Sequence, residues 1–139
     1  MSDLVRLSIS LERSLLRKLQ RLVKASRYTN RSEFIRDLIR QRLVHDEWED
    51  AAQEVLGTIT LLYDHHVRDL TERSVDIQHH HHEAILATTH IHLSHDLCAE
   101  MIMVRGAART VRRIAADLQG QRGVLHADLA MSSTGGSLR

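Results

Sequence analysis

The sequence has no proline, one cysteine and few aromatic residues, and each shortage restricts what the protein can be. Aromatic residues make up 3% of its 139 residues, so the core has to be built from Leu, Ile, Val, Ala and Met. A single cysteine cannot form a disulfide within the chain, which is typical of a reducing compartment and leaves a thiol that can ligate a metal or fill space. No stretch is apolar over the length of a membrane span, and residues 1–9 lack the apolar segment of a signal peptide, so we expect a cytoplasmic protein.

The sequence also lacks the motifs of the common enzyme classes. It contains no His-Glu-x-x-His, no nucleophile elbow, no phosphate-binding loop and no evident pair of acid and base near its histidines. We therefore expect that the protein is not an enzyme. With 139 residues it can form one domain or two small ones, and because each half would have only a marginal core, we expect it to oligomerise.

The charges are divided unevenly along the chain. Residues 1–45 contain eleven Arg and Lys against four Asp and Glu, a net charge of +7, whereas residues 46–139 contain eight against fourteen, a net charge of −6. A basic N-terminal part favours a polyanionic partner, although a basic helical surface in a small domain can also be simply solvated.

The N-terminal part begins with the pattern of one strand. Apolar and polar residues alternate from Val5 to Leu11, which predicts a half-buried strand with Arg6, Ser8 and Ser10 on its polar side. Leu and Val then recur at helical spacing as far as residue 24, opposite a basic face, which predicts a first amphipathic helix.

A second amphipathic helix is predicted after a turn at residues 26–30. Asn30 and Glu33, three residues apart, resemble a capping box at its start. A lone strand followed by two helices leaves the strand's backbone groups unpaired, and the simplest remedy is a second copy of the chain. Two such strands paired antiparallel about a two-fold axis would form a ribbon that fits the major groove of DNA.

These residues resemble the ribbon-helix-helix family of repressors over about the first third of the chain. The resemblance rests on the alternating strand, the basic first helix and the start of the second helix at Asn30. It implies that Arg6, Ser8 and Ser10 read base edges, and that the amino end of the second helix, with Ser32, holds a DNA phosphate on its free backbone donors. The alternative is that the three strand residues form an ordinary solvated face.

The C-terminal part predicts the element order βαββαβ, so the fold class is α+β. An acidic, polar segment around Trp48 is interpreted as the end of the second helix and a linker. We place a ribbon-helix-helix (βαα) domain at residues 1–48, a linker at 49–54, a ferredoxin-like domain at 55–132 and a flexible tail, rich in Gly and Ser, at 133–139. The predicted strands are 56–63, 85–93, 98–105 and 124–131, and the predicted helices are 67–78 and 107–119.

Residues 78–98 hold seven of the eleven histidines and the only cysteine. His90 and His92 lie on one face of a predicted strand with Cα atoms about 6.6 Å apart, close enough for both imidazoles to reach one ion. A hairpin at residues 93–97 would place Cys98 opposite His92 on that face. About 26 Å of extended chain separates His82 from His90, so the histidine tract of the same chain is not expected to fold back. The spacing therefore favours a metal site shared between subunits.

The whole arrangement resembles the nickel-responsive transcriptional regulators, which join a ribbon-helix-helix domain to an ACT-type metal-binding domain. The motifs that carry the resemblance are Gln-His-His-His-His, Thr-His-Ile-His and His-Asp-Leu-Cys, which end at residues 82, 92 and 98. The resemblance implies a homotetramer with one Ni(2+) per subunit in a square-planar site, ligated by His90, His92 and Cys98 of one subunit and His79 of another. It further implies that nickel strengthens binding to a palindromic operator, typically silencing genes for nickel uptake.

The ligand chemistry is coherent with this resemblance. A planar set of three nitrogens and one sulfur suits Ni(II) or Cu(II), whereas Zn(II) prefers a tetrahedron. Because thiolate and neutral imidazole are the ligating forms, metal binding should weaken in acid. Gln78 and Glu100 are candidates for side chains that orient the ligands by hydrogen bonding. The remaining histidines are interpreted as surface, solvated or locally bonded groups: His45, His65, His66, His80, His81, His82, His95 and His126.

The same resemblance implies two further sites. The carboxylates of Glu33 and Asp37, about one helical turn apart, match positions that help bind a cation, commonly K(+), although such spacing is also typical of a solvated helix face. Arg68 matches a position that contacts the DNA backbone, whereas Val67 replaces the basic neighbour expected there.

Three other functions agree with parts of the sequence. A nickel storage or delivery protein would also be rich in histidine, but it would have no use for the predicted ribbon. A ribbon-helix-helix repressor that senses another transition metal, or an antitoxin-like protein that binds a partner, would keep the N-terminal domain and give the C-terminal domain another role.

Overall fold

The computed structural model describes residues 4–139, and the chain divides into two compact units, Met1–Arg40 and Gln41–Arg139. The boundary between the units falls within the second helix. No helix in the described range is long and apolar enough to cross a membrane. In chain order the elements are α1 (Arg13–Ala25), α2 (Arg31–Glu49), β1 (Glu54–Asp64), α3 (Leu70–His80), β2 (Ile85–His92), β3 (Leu97–Ala107), α4 (Ala108–Gln119) and β4 (Val124–Ser132).

The start of α2 is fixed by the capping residue that the sequence predicts. The backbone N–H of Glu33 donates to Asn30 Oδ1 at 3.0 Å, which satisfies one of the free donors in the first turn. Glu33 Oε2 in turn accepts a hydrogen bond from the Thr29 hydroxyl at 3.1 Å. The predicted helix start at Asn30 is confirmed, and the Glu33 carboxylate ties the preceding turn to the helix.

The predicted strand from Val5 to Leu11 does not form in the single chain, since residues 4–12 contain no hydrogen-bonded strand. The physical reason is that a strand needs a neighbour, which the prediction assigned to a second copy. The alternating apolar side chains are exposed, with Val5 at 87% and Leu7 at 79% of full exposure. None of the described residues of the first unit is buried. One copy of this unit therefore has no core of its own.

The second unit contains one four-stranded antiparallel sheet with strand order β2-β3-β1-β4. The predicted order βαββαβ is confirmed. Helix α4 packs on β1, β3 and β4, and α3 packs against α4. Alternate residues of β1 and β3 point to these helices and are buried. The core is mainly aliphatic, as the composition predicts, and its most buried large side chains are Val55, Ile59, Leu61, Ile102, Val104, Val111, Ile114 and Leu118.

The end of α2 is packed into this second unit through the only tryptophan of the chain. Trp48 is 2% exposed, and its indole N–H donates to the backbone oxygen of Ser132 at 2.8 Å. The Arg112 guanidinium carbon lies 5.6 Å from the centre of the Trp48 ring, within cation–π range. Beside it, Glu47 Oε1 accepts hydrogen bonds from the hydroxyls of Ser133 and Ser137. Residues predicted as a flexible tail thus contact the last turn of α2.

Gly57 permits this close packing and provides a test of it. A Cβ atom on Gly57 would lie 3.0 Å from Leu129 Cδ1, 3.0 Å from Val111 Cγ1 and 3.3 Å from Trp48 Cη2. Because all three neighbours belong to the packed interior, we expect Gly57→Ala to lower the free energy of unfolding by about 1–3 kcal/mol. Urea unfolding at a fixed protein concentration measures this. Gly136→Ala is the matched control, since a Cβ there would have no atom within 4 Å. Equal unfolding midpoints for the two variants would contradict the packing.

Candidate metal centre

The pairing of β2 with β3 places histidine and cysteine side chains opposite one another. His92 is paired with Cys98, and His90 is paired with Glu100. The connection closes as a tight hairpin, in which the backbone N–H of Leu93 donates to the oxygen of Leu97 at 2.9 Å. The predicted hairpin and the predicted position of Cys98 across from His92 are therefore confirmed. Both side chains lie on the sheet face that carries the helices, because Cys98 alternates with exposed residues of β3.

Three donor atoms converge at this end of the sheet. Cys98 is fully buried, and its Sγ lies 3.2 Å from His92 Nδ1. His65, from the turn after β1, joins them, so that one ligating atom of each residue lies within 4.8 Å of the other two. His65 Nδ1 is buried and has no hydrogen-bond partner within residues 4–139. His65, which the sequence analysis interpreted as a solvated or locally bonded side chain, thus lies beside two of the predicted ligands.

The position of His65 follows from the sheet order. In the sequence it lies 27 residues before His92 with no recognisable spacing. Strand β1 is the other neighbour of β3, and Tyr63 is paired with Cys98 across that side. A residue two positions beyond Tyr63 is therefore carried to the same corner as the hairpin. Only the knowledge that β1 and β3 are adjacent could have singled it out.

His90 lies beside this group but bonds elsewhere. Its Nδ1 is hydrogen bonded to the Tyr63 hydroxyl at 2.9 Å, and its ring centre lies 5.0 Å from that of His92. Burial, reinforced by electrostatic interactions with Glu100 and Cys98, raises the pKa of Tyr63 to about 12. Tyr63 is therefore a neutral phenol at physiological pH. If His90 ligates through Nε2, its Nδ1–H donates to the Tyr63 oxygen, which fixes the tautomer and the ring orientation.

His79 lies in the last turn of α3. It lines a surface depression together with Val75, Gln78, His82 and Ile85. Within residues 4–139, His79 does not join the three converging donors. A role for His79 as a ligand thus requires another copy of the chain.

Gln78 and Glu100, predicted to support the ligands, are joined to each other by a hydrogen bond. Gln78 Nε2 donates to Glu100 Oε1 at 2.8 Å, and the Thr88 hydroxyl donates to Gln78 Oε1 at 2.9 Å. Glu100 is only 8% exposed, so this hydrogen bond offsets part of the cost of burying its carboxylate. The network ties the end of α3 to both β2 and β3.

The donor set fits a transition metal. Metal–sulfur and metal–nitrogen bonds of usual length separate their donor atoms by about 3.1 Å at a right angle and by about 3.6 Å at a tetrahedral angle. The distance of 3.2 Å between Cys98 Sγ and His92 Nδ1 is short enough for both atoms to bind one ion. Thiolate and imidazole are ligands of transition metals such as Ni(II), Cu(II) and Zn(II). One ring nitrogen of His65 is a further candidate donor at the site.

The residues predicted to contact DNA are all accessible. Arg6, Ser8 and Ser10 are exposed in the segment before α1, and Ser32 is exposed in the first turn of α2. Arg68 is in the second unit, where its side chain is 94% exposed and lies 3.8 Å from Asp69. An ion pair this exposed contributes little to stability, so Arg68 is able to turn toward another anion.

The carboxylates predicted to hold a cation lie on α2. Glu33 Oε1 is 3.7 Å from Arg36. Asp37 forms a hydrogen bond with Tyr28, and this bond, together with burial and the charges of Asp37 and Glu33, raises the pKa of Tyr28. Both carboxylates are thus engaged with neighbours on the same unit.

Comparison with known protein families covers nearly the whole chain. The profile described as NikR C terminal nickel binding domain matches residues 56–132, and the profile of the ribbon-helix-helix proteins of the copG family matches residues 5–45.

Individual relatives match this chain over nearly their full lengths. A protein of Syntrophus aciditrophicus named "Putative nickel-responsive regulator" is 48% identical over 135 residues, which is 97% of this chain and 98% of that protein. A protein of the same name from Geobacter sp. strain M21 is 47% identical and covers 99% of both chains. The solved structure of an uncharacterized protein from Thermotoga maritima superposes with a TM-score of 0.51 over 56% of this chain and 96% of that one. At 11% identity, this likeness shows the fold alone.

The hydrogen bond between Tyr63 and His90 leads to a prediction. We expect Tyr63→Phe to weaken Ni(II) binding by about 10- to 100-fold, because loss of a group that orients a ligating histidine has effects of this size. Competition with a chromophoric chelator measures the affinity. The control is Tyr28→Phe, which changes the chain's other tyrosine, located in the first unit. It should bind nickel as the unaltered protein does. Equal nickel affinity in the two variants would show that Tyr63 does not position His90.

Proposed function

The chain belongs to the family of nickel-responsive ribbon-helix-helix transcriptional regulators, which are not enzymes, and we propose that it represses nickel uptake genes when nickel binds. The observation that carries the proposal is the β2–β3 hairpin, which sets His92 and Cys98 against each other with His65 and His90 beside them. Such a regulator acts on DNA in the cytoplasm.

We propose that two copies of the first unit form the DNA-binding module. The exposed side chains of Val5, Leu7 and Ile9 give each copy an apolar strand face with no cover of its own. Antiparallel pairing about a two-fold axis would satisfy the strand backbones and bury these side chains between the copies. It would also present Arg6 and Ser8 twice on the opposite face of the ribbon. Two-fold symmetry in the protein implies a palindromic operator.

Contacts to DNA are divided between bases and phosphates in this proposal. Arg6, Ser8 and Ser10 read base edges in the major groove, which gives sequence specificity. The free backbone N–H groups at the start of α2, with Ser32, hold a phosphate, and Arg68 contributes a second backbone contact. The net charge of +7 on residues 1–45 supports attraction to the phosphates.

We propose that nickel binds through His90, His92 and Cys98 of one subunit and His79 of a neighbouring copy, with one Ni(2+) per subunit. In this arrangement the buried Cys98 supplies a thiolate, while Tyr63 holds the His90 ring in orientation through the bond at 2.9 Å. Bound nickel would supply the link between subunits that strengthens operator binding. Glu33 and Asp37 are proposed to hold a second cation, K(+), on α2.

Tetramer assembly is supported by the open face of the sheet. Ile102 points to the helices and is fully buried, so its neighbours Met101 and Met103 point to the other face, where they are 49% and 42% exposed. Ile91 of β2 lies on that face as well and is 49% exposed. A second sheet packed there would cover these apolar side chains. Together with the pairing of the first units, this contact would assemble four copies as a dimer of dimers.

The central prediction is that nickel raises affinity for an operator. Fluorescence anisotropy with the promoter upstream of the nearest nickel transporter should show tight binding with Ni(II) and weak binding without it, because the metal favours the operator-competent arrangement. Arg6→Ala should lose about 1–3 kcal/mol of specific binding while taking up nickel normally. Arg17→Ala on α1 has the same change in charge and is the control. Equal operator affinity with and without Ni(II) would refute the regulatory proposal.

The proposed ligand set is tested by comparing two histidines that flank His92 in space. His90→Ala should weaken Ni(II) binding and alter the sulfur-to-nickel charge-transfer absorption, and Cys98→Ala should abolish that absorption. His65→Ala should leave the absorption in place if His90 is the ligand. The opposite pattern, with His65 required and His90 dispensable, would replace His90 by His65. Charge-transfer absorption that survives in Cys98→Ala would exclude the thiolate as a ligand.

A further inference from the structure

We propose that residues 133–138 form a clasp that closes on the last turn of α2, and that tight operator binding by the nickel-loaded protein requires the closed clasp. The composition of this segment predicts a flexible tail, yet the segment is hydrogen bonded to Glu47 and folded on itself. Closure of the clasp is independent of the proposed function, whereas its effect on operator binding rests on that function.

Glu47 is the residue of α2 that the clasp holds. Its Oε1 accepts a hydrogen bond from the Ser133 hydroxyl at 3.0 Å and another from the Ser137 hydroxyl. Its Oε2 is buried and has no hydrogen-bond partner within residues 4–139. Burial of a carboxylate oxygen without a partner costs free energy, which offsets part of what the two hydroxyl groups contribute. The closed clasp is therefore only slightly more stable than an open one.

The clasp keeps its shape through a tight turn at Gly135. The Gly135 N–H donates to the Ser133 hydroxyl oxygen at 2.9 Å, and the Leu138 N–H donates to the Gly135 backbone oxygen at 3.3 Å. Gly135 has a φ of +88°, in the left-handed region that disfavours residues with a Cβ atom. The turn brings the hydroxyls of Ser133 and Ser137 to the same carboxylate oxygen.

The connection after α2 is fixed separately, on α4. Arg112 of α4 donates to the Trp48 backbone oxygen at 3.3 Å. The first two N–H groups of α4 donate to the backbone oxygens of Gln53 and Ala51 at 2.9 and 3.0 Å, which satisfies two free donors of that helix. The segment predicted as a linker is thus held on α4, and the clasp extends the hold back along α2 to Glu47.

A hold on the last turn has a long reach because α2 is one continuous helix of 19 residues, Arg31–Glu49. The proposed phosphate contact at Ser32 is at its amino end, and Glu47 is in its last turn. About 22 Å of helix separates these two residues, so a tilt of about 10° at the last turn would move Ser32 by about 4 Å. A hydrogen bond does not survive a displacement of that size. The closed clasp therefore favours the operator-competent arrangement by limiting the tilt of α2.

Trp48 reports on the clasp without a label, since it is the only tryptophan of the chain. It is 2% exposed, and its indole N–H donates to the backbone oxygen of Ser132, the residue just before the clasp. Opening of the clasp should therefore increase the quenching of Trp48 fluorescence by acrylamide. It should also speed up amide hydrogen exchange in the last turn of α2.

Two neighbouring glycines provide a matched pair of variants. A Cβ atom on Gly135 or on Gly136 would meet no atom within 4 Å, but only Gly135 has a positive φ. Gly135→Ala should therefore strain the closed clasp and speed up exchange in the last turn of α2 by about 5- to 30-fold. Gly136→Ala adds the same methyl group without the strain and should leave exchange unchanged.

A second pair of variants removes hydroxyl groups. Ser133→Ala with Ser137→Ala deletes both donors to Glu47, so it should increase acrylamide quenching of Trp48. Thr134→Ala removes an exposed hydroxyl of the same segment and should leave the quenching unchanged.

Operator affinity of each full-length variant is then measured by fluorescence anisotropy in excess Ni(II). Gly135→Ala should bind the operator about 2- to 15-fold more weakly than Gly136→Ala, because the apparent affinity falls with the fraction of closed clasp. Competition with a chromophoric chelator should give both variants the nickel affinity of the unaltered protein, since neither glycine belongs to the metal centre.

The outcomes separate the clasp from its role. Equal exchange and equal quenching in Gly135→Ala and Gly136→Ala would overturn the clasp itself. Faster exchange in Gly135→Ala with unchanged operator affinity would overturn the requirement for closure in operator binding. If the unaltered protein binds the operator equally with and without Ni(II), the proposed function fails and that requirement falls with it, whereas the exchange rates still decide whether the clasp exists.

Discussion

The register of β2 against β3 is the constraint on which the candidate metal centre depends. In an antiparallel ladder, a slip of one residue sends every side chain of a strand to the opposite face. The pairing of His92 with Cys98, closed by the hydrogen bond between Leu93 and Leu97, keeps both donors on the helical side. The ladder is irregular only between Ile85 and Ala87, at the far end of β2, so the disturbance does not reach the histidines.

Local patterns carried much of the prediction from sequence. Helical spacing predicted α1, and Asn30 marked the start of α2, because both of these signals are contained within a few neighbouring residues. The position of Cys98 across from His92 was also predictable, since a tight hairpin fixes its own register.

What the sequence did not reveal depends on contacts between distant parts of the chain or between chains. His65 becomes a neighbour of Cys98 only because β1 and β3 are adjacent in the sheet. Trp48 stands in a polar segment with no periodic pattern, yet it is buried against β4 through its bond to Ser132. The alternating segment from Val5 to Leu11 was read as a strand, but a single chain gives it no backbone partners, so the pattern alone does not produce the element.

The complete burial of Cys98 has a consequence for chemical durability. A thiolate that reaches solvent is open to oxidation to a sulfenic acid, and a second cysteine nearby often rescues it by forming a disulfide. This chain has no second cysteine, so an oxidised Cys98 could not be restored in that way within the molecule. Since Cys98 has no exposed surface, its sulfur is shielded from oxidants in the solvent.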